Sequence, residues 1–374
     1  VMEILIMTCG TGGGHNAAAR AMQAQLTMDG HRVTVLNPYD LKDDRLSKGI
    51  DLLYIRMVQR SPRLFGMIYR LGNLYRRLPF RSPVYHVNGR MAPVLEKYLA
   101  EHSFDALLMT HLYPAEMVTR LRRQGAALPP TVFIATDYTC IPFTEETECG
   151  HLAIPSEKLV KEYTRRGIPR EKLWITGIPT HPCFRERMTG RQAKERLGLD
   201  EDRSYVLVCG GSMGAGSIKR IAAIVNRWCE RRENFCSIIV CGSNRKLYRS
   251  LRKRYGHRMI LLSYTEEMDL YMKASELVLT KPGGLSSTET AVAQIPMIHI
   301  TPIPGCETKN MKYFVRQGMS LGVKHPGRGL EKAMDRLLQE PCRETMKKRQ
   351  QDGVNGQAAR TIEEYLVREE RTNG

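Results

Sequence analysis

The stretch "MEILIMTCGTGGGHNAAARAM", residues 2–22, decides the fold. "EILIM" (3–7) reads as a buried strand, glycines interrupt the chain from Gly10, and the segment from Ala17 to Asp29 reads as a helix. A strand passing through glycines into a helix is the opening of a βαβ unit. Two explanations compete for the glycines. In one they form a tight turn that lets the helix pack on its strand. In the other they let the backbone approach a ligand and aim free N–H groups at it from a helix N-terminus. His15 then stands at the mouth of the site, and its imidazole titrates near neutrality, as a base acting on a hydroxyl must. The turn is not a Walker loop, because no Gly-Lys-Ser/Thr follows. It is a poor dinucleotide fingerprint, because His15 occupies the third glycine position.

Strands and helices alternate along the rest of the chain, which indicates an α/β protein with parallel sheets. The first series is completed by "RVTVL" (32–36), "DALLMT" (105–110), "TVFIAT" (131–136), "LAI" (152–154) and "LWIT" (173–176). A second series runs "YVLVCGG" (205–211), "CSIIVCG" (236–242), "MILLS" (259–263), "ELVLT" (276–280) and "MIHI" (297–300). It too opens on a glycine turn, "CGGSMGAGS" (209–217). Two Rossmann-like doubly wound halves facing across a cleft are therefore expected, with ligands at the carboxyl ends of the strands. The expected boundaries are an N-terminal domain over 1–178, a linker over 179–204, a C-terminal domain over 205–340, and helices over 341–374 that pack back on the first domain.

The chain has 374 residues and a formal net charge of +18. Such a surplus favours an anionic partner: nucleic acid, anionic lipid or a phosphorylated ligand. Ten scattered cysteines without C-x-x-C or zinc spacing suggest reduced thiols in a cytosol. The opening strand is not a signal peptide, and no run approaches the roughly 20 apolar residues that cross a bilayer. A membrane role would be a peripheral one. "DED" at 200–202 has the D-x-D form of metal-dependent sugar transfer, but it stands in a loop away from the other motifs and reads as solvated acid.

The most informative stretch is "TKPGGLSSTETAVAQIPMIHITPIPGCETKNMKYF" (280–314). Pro282, Gly283 and Gly284 break the chain after a strand. Ser286, Ser287 and Thr288 crowd the start of the next helix, where free N–H groups bind anions. Glu289 follows, expected within the first turn, as an acceptor for a ribose diol or as an ordinary first-turn carboxylate. Glu307 and Asn310 suit the hydroxyls of a sugar.

"GTGGGH", "GGSMGA", "KPGGLSSTE" and "PGCETKN", in this order, resemble the monogalactosyldiacylglycerol synthases and bacterial processive diacylglycerol glucosyltransferases. "ATDYTCIPF" (135–143) is similar to their acceptor-domain motif. The resemblance implies a GT-B fold and an inverting transfer from a UDP-sugar, with no cofactor and no essential metal. By that resemblance Gly211, Ser212, Met213 and Gly214 form the diphosphate loop. Gly283, Gly284, Leu285, Ser286 and Ser287 complete the donor site, Glu289 holds the ribose, and Glu307 and Asn310 face the sugar. Gly13 and Gly14 form the acceptor-side loop, with His15 as base and Asp137 as the acid beside it. Two departures bear on specificity. Cys306 stands where the family has Gln in its sugar-facing loop, and "CIPF" replaces the plant His-Pro-x-Trp element.

From Arg45 to Arg90 the chain carries ten Lys/Arg against one acid, Asp51, interleaved with apolar and aromatic residues. That composition suits an interfacial segment. Arg56, Arg60, Arg63, Arg70, Arg76 and Arg77 are the expected headgroup contacts, and Phe65, Tyr69 and Tyr75 the expected interfacial rings. The bland alternative is a pair of amphipathic helices packed on the domain. The expected partners are thus a UDP-sugar, a lipid acceptor such as diacylglycerol and the anionic cytoplasmic face of the plasma membrane, without nucleic acid. Four rivals remain: a UDP-N-acetylglucosamine-using lipid glycosyltransferase or a UDP-sugar epimerase of the same fold, a basic nucleic-acid-binding protein, and an NAD-dependent oxidoreductase.

Overall fold

The computed structural model describes residues 1–10, 13–42, 62–211, 217–327 and 329–373. The chain divides into two compact units, Val1–Pro182 with Asn355–Gly374, and Cys183–Val354.

In the first unit the chain runs β1 (Glu3–Met7), α1 (Gly13–Met28), β2 (Arg32–Leu36), α2 (Pro62–Tyr75), α3 (Pro83–Gly89), α4 (Ala92–Glu101), β3 (Ala106–Met109), α5 (Leu112–Arg123), β4 (Thr131–Ile134), β5 (His151–Ile154), α6 (Val160–Thr164) and β6 (Leu173–Ile175). All pairings are parallel, in the order β2-β1-β3-β4-β5-β6. Ile4, Leu5, Ile6 and Met7 are fully buried, as are Ala106 to Met109. Near-continuous apolar strands are what a parallel sheet covered on both faces requires.

The second unit contains α7 (Gly190–Arg196), β7 (Ser204–Cys209), α8 (Ile218–Glu230), β8 (Phe235–Val240), α9 (Arg245–Tyr255), β9 (Met259–Leu262), α10 (Met268–Lys273), β10 (Leu277–Thr280), α11 (Gly284–Val292), β11 (Met297–Ile300), α12 (Cys306–Arg316), β12 (Leu321–Val323), α13 (Leu330–Leu337) and α14 (Glu340–Gly353). Its parallel sheet has the order β12-β11-β10-β7-β8-β9. The last helix, α15 (Ala358–Asn373), belongs to the first unit.

In each sheet the winding reverses once, between β1 and β3 in the first and between β7 and β10 in the second. These are the switch points at which doubly wound folds bind ligands. Both glycine turns leave strands that border a switch point, and "KPGG" leaves the other border of the second.

The structure differs from the sequence reading in four places. First, α1 begins at Gly13, four residues before the alanine run, because first-turn N–H groups need no intrahelical partner and glycine there loses no helical bond. Second, β12 has only three residues, one of them Gly322, and carries no strand signal. Third, residues 183–204 do not lie outside the units as a linker. Thr189 and Gln192 form a capping box on α7, and Lys273 binds the Cys183 carbonyl. Fourth, the terminal helices part company. Gln350 on α14 donates to the Ile295 and Met319 carbonyls at 2.9 and 3.0 Å. By contrast Ala359, Ile362 and Leu366 on α15 join the core around Met22 and Leu26 of α1.

Candidate functional site

At the first switch point, β1 and β3 end side by side, and Thr110 N–H donates to the Met7 carbonyl at 3.0 Å. Gly13 and Gly14 open α1 and place His15 in its first turn. The His15 Nδ1 lies 2.7 Å from the Thr110 carbonyl and 3.1 Å from the Thr136 hydroxyl. A carbonyl only accepts, so Nδ1 carries the proton. The lone pair of the neutral ring therefore resides on Nε2, which no described residue engages. Burial lowers the His15 pKa, while the nearby Asp137 carboxylate and the Thr110 carbonyl oppose the shift. The helix N-terminus also disfavours a cation. The ring is thus held as a neutral base, with a carboxylate in reach of the imidazolium once it forms. Asp137 is half-buried.

His111 escaped the sequence reading. It lies two residues beyond the end of β3, after Thr110, and its ring meets that of His15 edge-on, with centroids 4.3 Å apart. Its Nδ1 accepts from Tyr113 N–H at 3.1 Å and caps α5. Burial holds its pKa well below the usual value, and the His15 charge acts in the same direction. The signal in the sequence was a histidine just after a switch-point strand, legible only once the strand order is known.

At the second switch point Gly211 adopts φ +72°, a left-handed conformation that glycine enters without strain. Ser212, Met213 and Gly214 lie outside the described residues. Beyond the end of β10, Gly283 caps α11, and a Cβ at this position would meet nothing within 4 Å. The N–H groups of Gly284, Leu285 and Ser286 are first-turn donors without intrahelical partners. Ser287 turns the other way. It is fully buried, and its hydroxyl meets His299 Nε2 at 2.9 Å, while Ser320 meets Nδ1 at 3.1 Å. Both serines brace a histidine that burial pushes down to about 3. Glu289 falls in the second turn of α11 rather than the first, because the helix starts at Gly284. It is half-buried, and its charge reaches the Cys209 thiol at the end of β7.

Asn310 is fully buried and donates to the Pro282 carbonyl at 3.0 Å, so it secures the "KPGG" turn from behind. Glu307 accepts from Ile303 N–H at 2.7 Å and pairs with Lys281 at 2.9 Å. Cys306 is the first residue of α12 and is half-buried. "DED" sits in a solvated turn, with Asp200 and Glu201 paired to Arg203 and Arg191.

The basic stretch is reshaped by the structure. Arg56 and Arg60 lie outside the described residues, and of Arg63 and Phe65 only the helical backbone is described. Arg76 is no headgroup contact. Its side chain is 1 % exposed and forms a two-pronged pair with Glu145, at 2.6 and 2.5 Å. Tyr69 and Tyr75 are half-buried, and Tyr75 donates to the Arg81 carbonyl at 3.2 Å. What faces outward is apolar. Met67, Ile68, Leu71 and Leu74 on α2, with Leu78 and Phe80 beyond it, are 44–70 % exposed. Arg70 and Arg77 are exposed in the same segment. Among the described residues no helix is long and apolar enough to cross a membrane.

Residues 15–180 match the family Monogalactosyldiacylglycerol (MGDG) synthase, and residues 205–365 match the Glycosyltransferase family 28 C-terminal domain. The processive diacylglycerol beta-glucosyltransferase of Bacillus subtilis is 26% identical, over 98% of this chain and 95% of its own length. In fold, MurG of Acinetobacter baumannii is similar with a TM-score of 0.62 at 14% identity, over 98% of this chain and 100% of that one. The S. aureus MnaA–UDP complex gives 0.64 at 12% identity, over 98% and 97%. The fold and the matches define a glycosyltransferase built from two Rossmann-like α/β units. Along its length the chain is similar to the monogalactosyldiacylglycerol synthases and the processive diacylglycerol glucosyltransferases, as expected of a UDP-sugar lipid glycosyltransferase.

Proposed function

We propose that this enzyme moves a hexose, glucose or galactose, from a UDP-sugar to the hydroxyl of diacylglycerol or a related lipid, with inversion at the anomeric carbon. The observation that carries the reading is His15, whose Nδ1–H is fixed by a carbonyl so that Nε2 presents a lone pair. Nε2 takes the proton of the acceptor hydroxyl, and Asp137 stabilises the imidazolium. The acceptor oxygen bonds to the anomeric carbon as the bond from that carbon to the diphosphate oxygen breaks, and UDP leaves with the electron pair. Glu289 receives the ribose diol. The N–H groups of Gly284, Leu285 and Ser286, with the loop over 211–214, receive the diphosphate. Glu307 faces the sugar, and Asn310 holds the Pro282–Gly283 turn. No cofactor or essential metal enters this scheme.

The acceptor is reached at a membrane surface, on the cytoplasmic face. There the apolar stripe of α2 enters the interface and Arg70 and Arg77 meet anionic headgroups. The test is an assay of UDP-glucose, UDP-galactose and UDP-N-acetylglucosamine against diacylglycerol in anionic vesicles, with the products weighed by mass spectrometry. A glycolipid formed from one of the hexoses is the expected result. UDP-sugar consumed without acceptor, or no product from any lipid, overturns the reading.

A further inference from the structure

A nearly buried ammonium stands at the second switch point with one hydrogen-bonding partner among the described residues. Lys281 is the first residue after β10, next to the Pro282–Gly283 turn that opens α11. Its side chain is 7 % exposed. Among the described residues its one hydrogen-bonding partner is Glu307, at 2.9 Å. An ammonium has three N–H donors, so two are left over. A group so buried loses hydration it recovers only through partners. Glu307 receives the Ile303 N–H on its other oxygen, at 2.7 Å, so the carboxylate is shared between the lysine and the backbone. The Lys281 charge is also felt at the Cys209 thiol on the end of β7, where the Glu289 charge acts in the opposite direction. The lysine therefore sits at the junction of three features: the end of β7, the first turn of α11 and the loop before α12.

We propose that Lys281 is a cationic contact of the donor diphosphate, holding Glu307 with one N–H and a phosphate oxygen with another. This rests on the UDP-sugar reading given above. The lysine links the two parts of the donor. Its pair with Glu307 faces the sugar, and its remaining donors face the charge that grows on the departing diphosphate, where a fixed cation is most effective. Sugar placement and leaving-group stabilisation are then carried by one side chain.

Calorimetry with UDP and with uridine separates this role from a structural one. The wild type should prefer UDP strongly over uridine. Lys281→Met and Lys281→Gln should each lower UDP affinity by roughly 10- to 100-fold, the range for a lost bond to a charged group. Uridine affinity should stay within about twofold, since uridine lacks phosphate. Glu307→Gln keeps the cation and should keep the preference for UDP, and it decides the matter if neither neutral variant folds. The Lys281 role alone is overturned if UDP and uridine weaken by the same factor in the neutral variants. It is equally overturned if Glu307→Gln abolishes the preference. A folded wild type that binds no UDP overturns the donor reading, and the lysine role with it.

Discussion

His15 and His299 occupy comparable places, one in each unit, close to a switch point, yet they do opposite things. His15 uses one ring nitrogen on Thr110 and Thr136 and leaves the other without a described partner. His299 is fully buried, with a serine hydroxyl on each nitrogen. The first arrangement leaves a lone pair on Nε2 that no described residue uses. The second spends both nitrogens on holding α11 to β11 and to the segment before β12. The first unit thus brings a titratable ring to its switch point, and the second brings backbone N–H groups and fixed charges. The proposed reaction needs both, since one substrate must lose a proton and the other must release a diphosphate.

The sharpest way to break this comparison is to remove one residue from each side. His15→Ala should cut kcat by about 10²–10⁴-fold, the range for a lost general base, and leave UDP affinity within about twofold. Glu289→Ala should reverse the pattern, with UDP affinity down roughly tenfold or more for a lost bond to a charged group. Steady-state rates paired with calorimetry decide it. Near-normal turnover in His15→Ala would reduce that residue to a structural one. The lowered pKa of His15 adds a condition on pH. The ring stays neutral below the ordinary histidine range, so activity should hold through pH 6.5 and fall only in more acid solution.

A smaller effect separates the outward face of α2 from its inward one. Leu71 and Leu74 are 55 % and 61 % exposed. Replacing both by Asp should spare the fold but weaken binding to anionic vesicles about tenfold or more, because each leucine entering the interface contributes on the order of 1 kcal/mol or more. Arg77→Gln should cost less, about 1 kcal/mol, and the loss should shrink in high salt. Arg76→Ala should instead lower the melting temperature, because it leaves the Glu145 carboxylate without its guanidinium. Vesicle flotation and thermal melts read these differences. Equal vesicle binding by the double-Asp variant and the wild type would remove α2 from the membrane reading.

A last test, with a different readout, is the pH dependence of stability in the first unit. Glu116 on α5 is fully buried, and neither carboxyl oxygen has a hydrogen-bond partner among the described residues. Burial, with the Glu146 charge next, pushes its pKa up from 4.5 to about 10. Folded, the group keeps its proton across that window; unfolded, it gives the proton up. Stability from this group is therefore complete below pH 4.5 and declines as pH rises toward 10. Glu116→Gln should raise the melting temperature at pH 8 and flatten its fall between pH 6 and 9. An unchanged slope would mean that the carboxyl is not buried in its neutral form.

The sequence by itself determined the α/β class, the parallel sheets, all but one of the strands described and the two glycine turns. Those features are local: apolar-rich runs that form the strands, glycines that end two of them, and helical runs that follow. The resemblance was legible for the same reason, because the motifs that carry it are those strand-to-helix junctions. What only the tertiary structure decided is which side chains turn inward. Arg76 and Arg77 are adjacent and chemically identical, yet one is clamped by Glu145, 69 residues on, and the other is exposed. Ser286 and Ser287 likewise divide between the half-buried face of α11 and a buried histidine. His111 reached His15 only because β1 and β3 pair across the switch point. The partners that settle these orientations come from distant parts of the chain, and no local pattern records them.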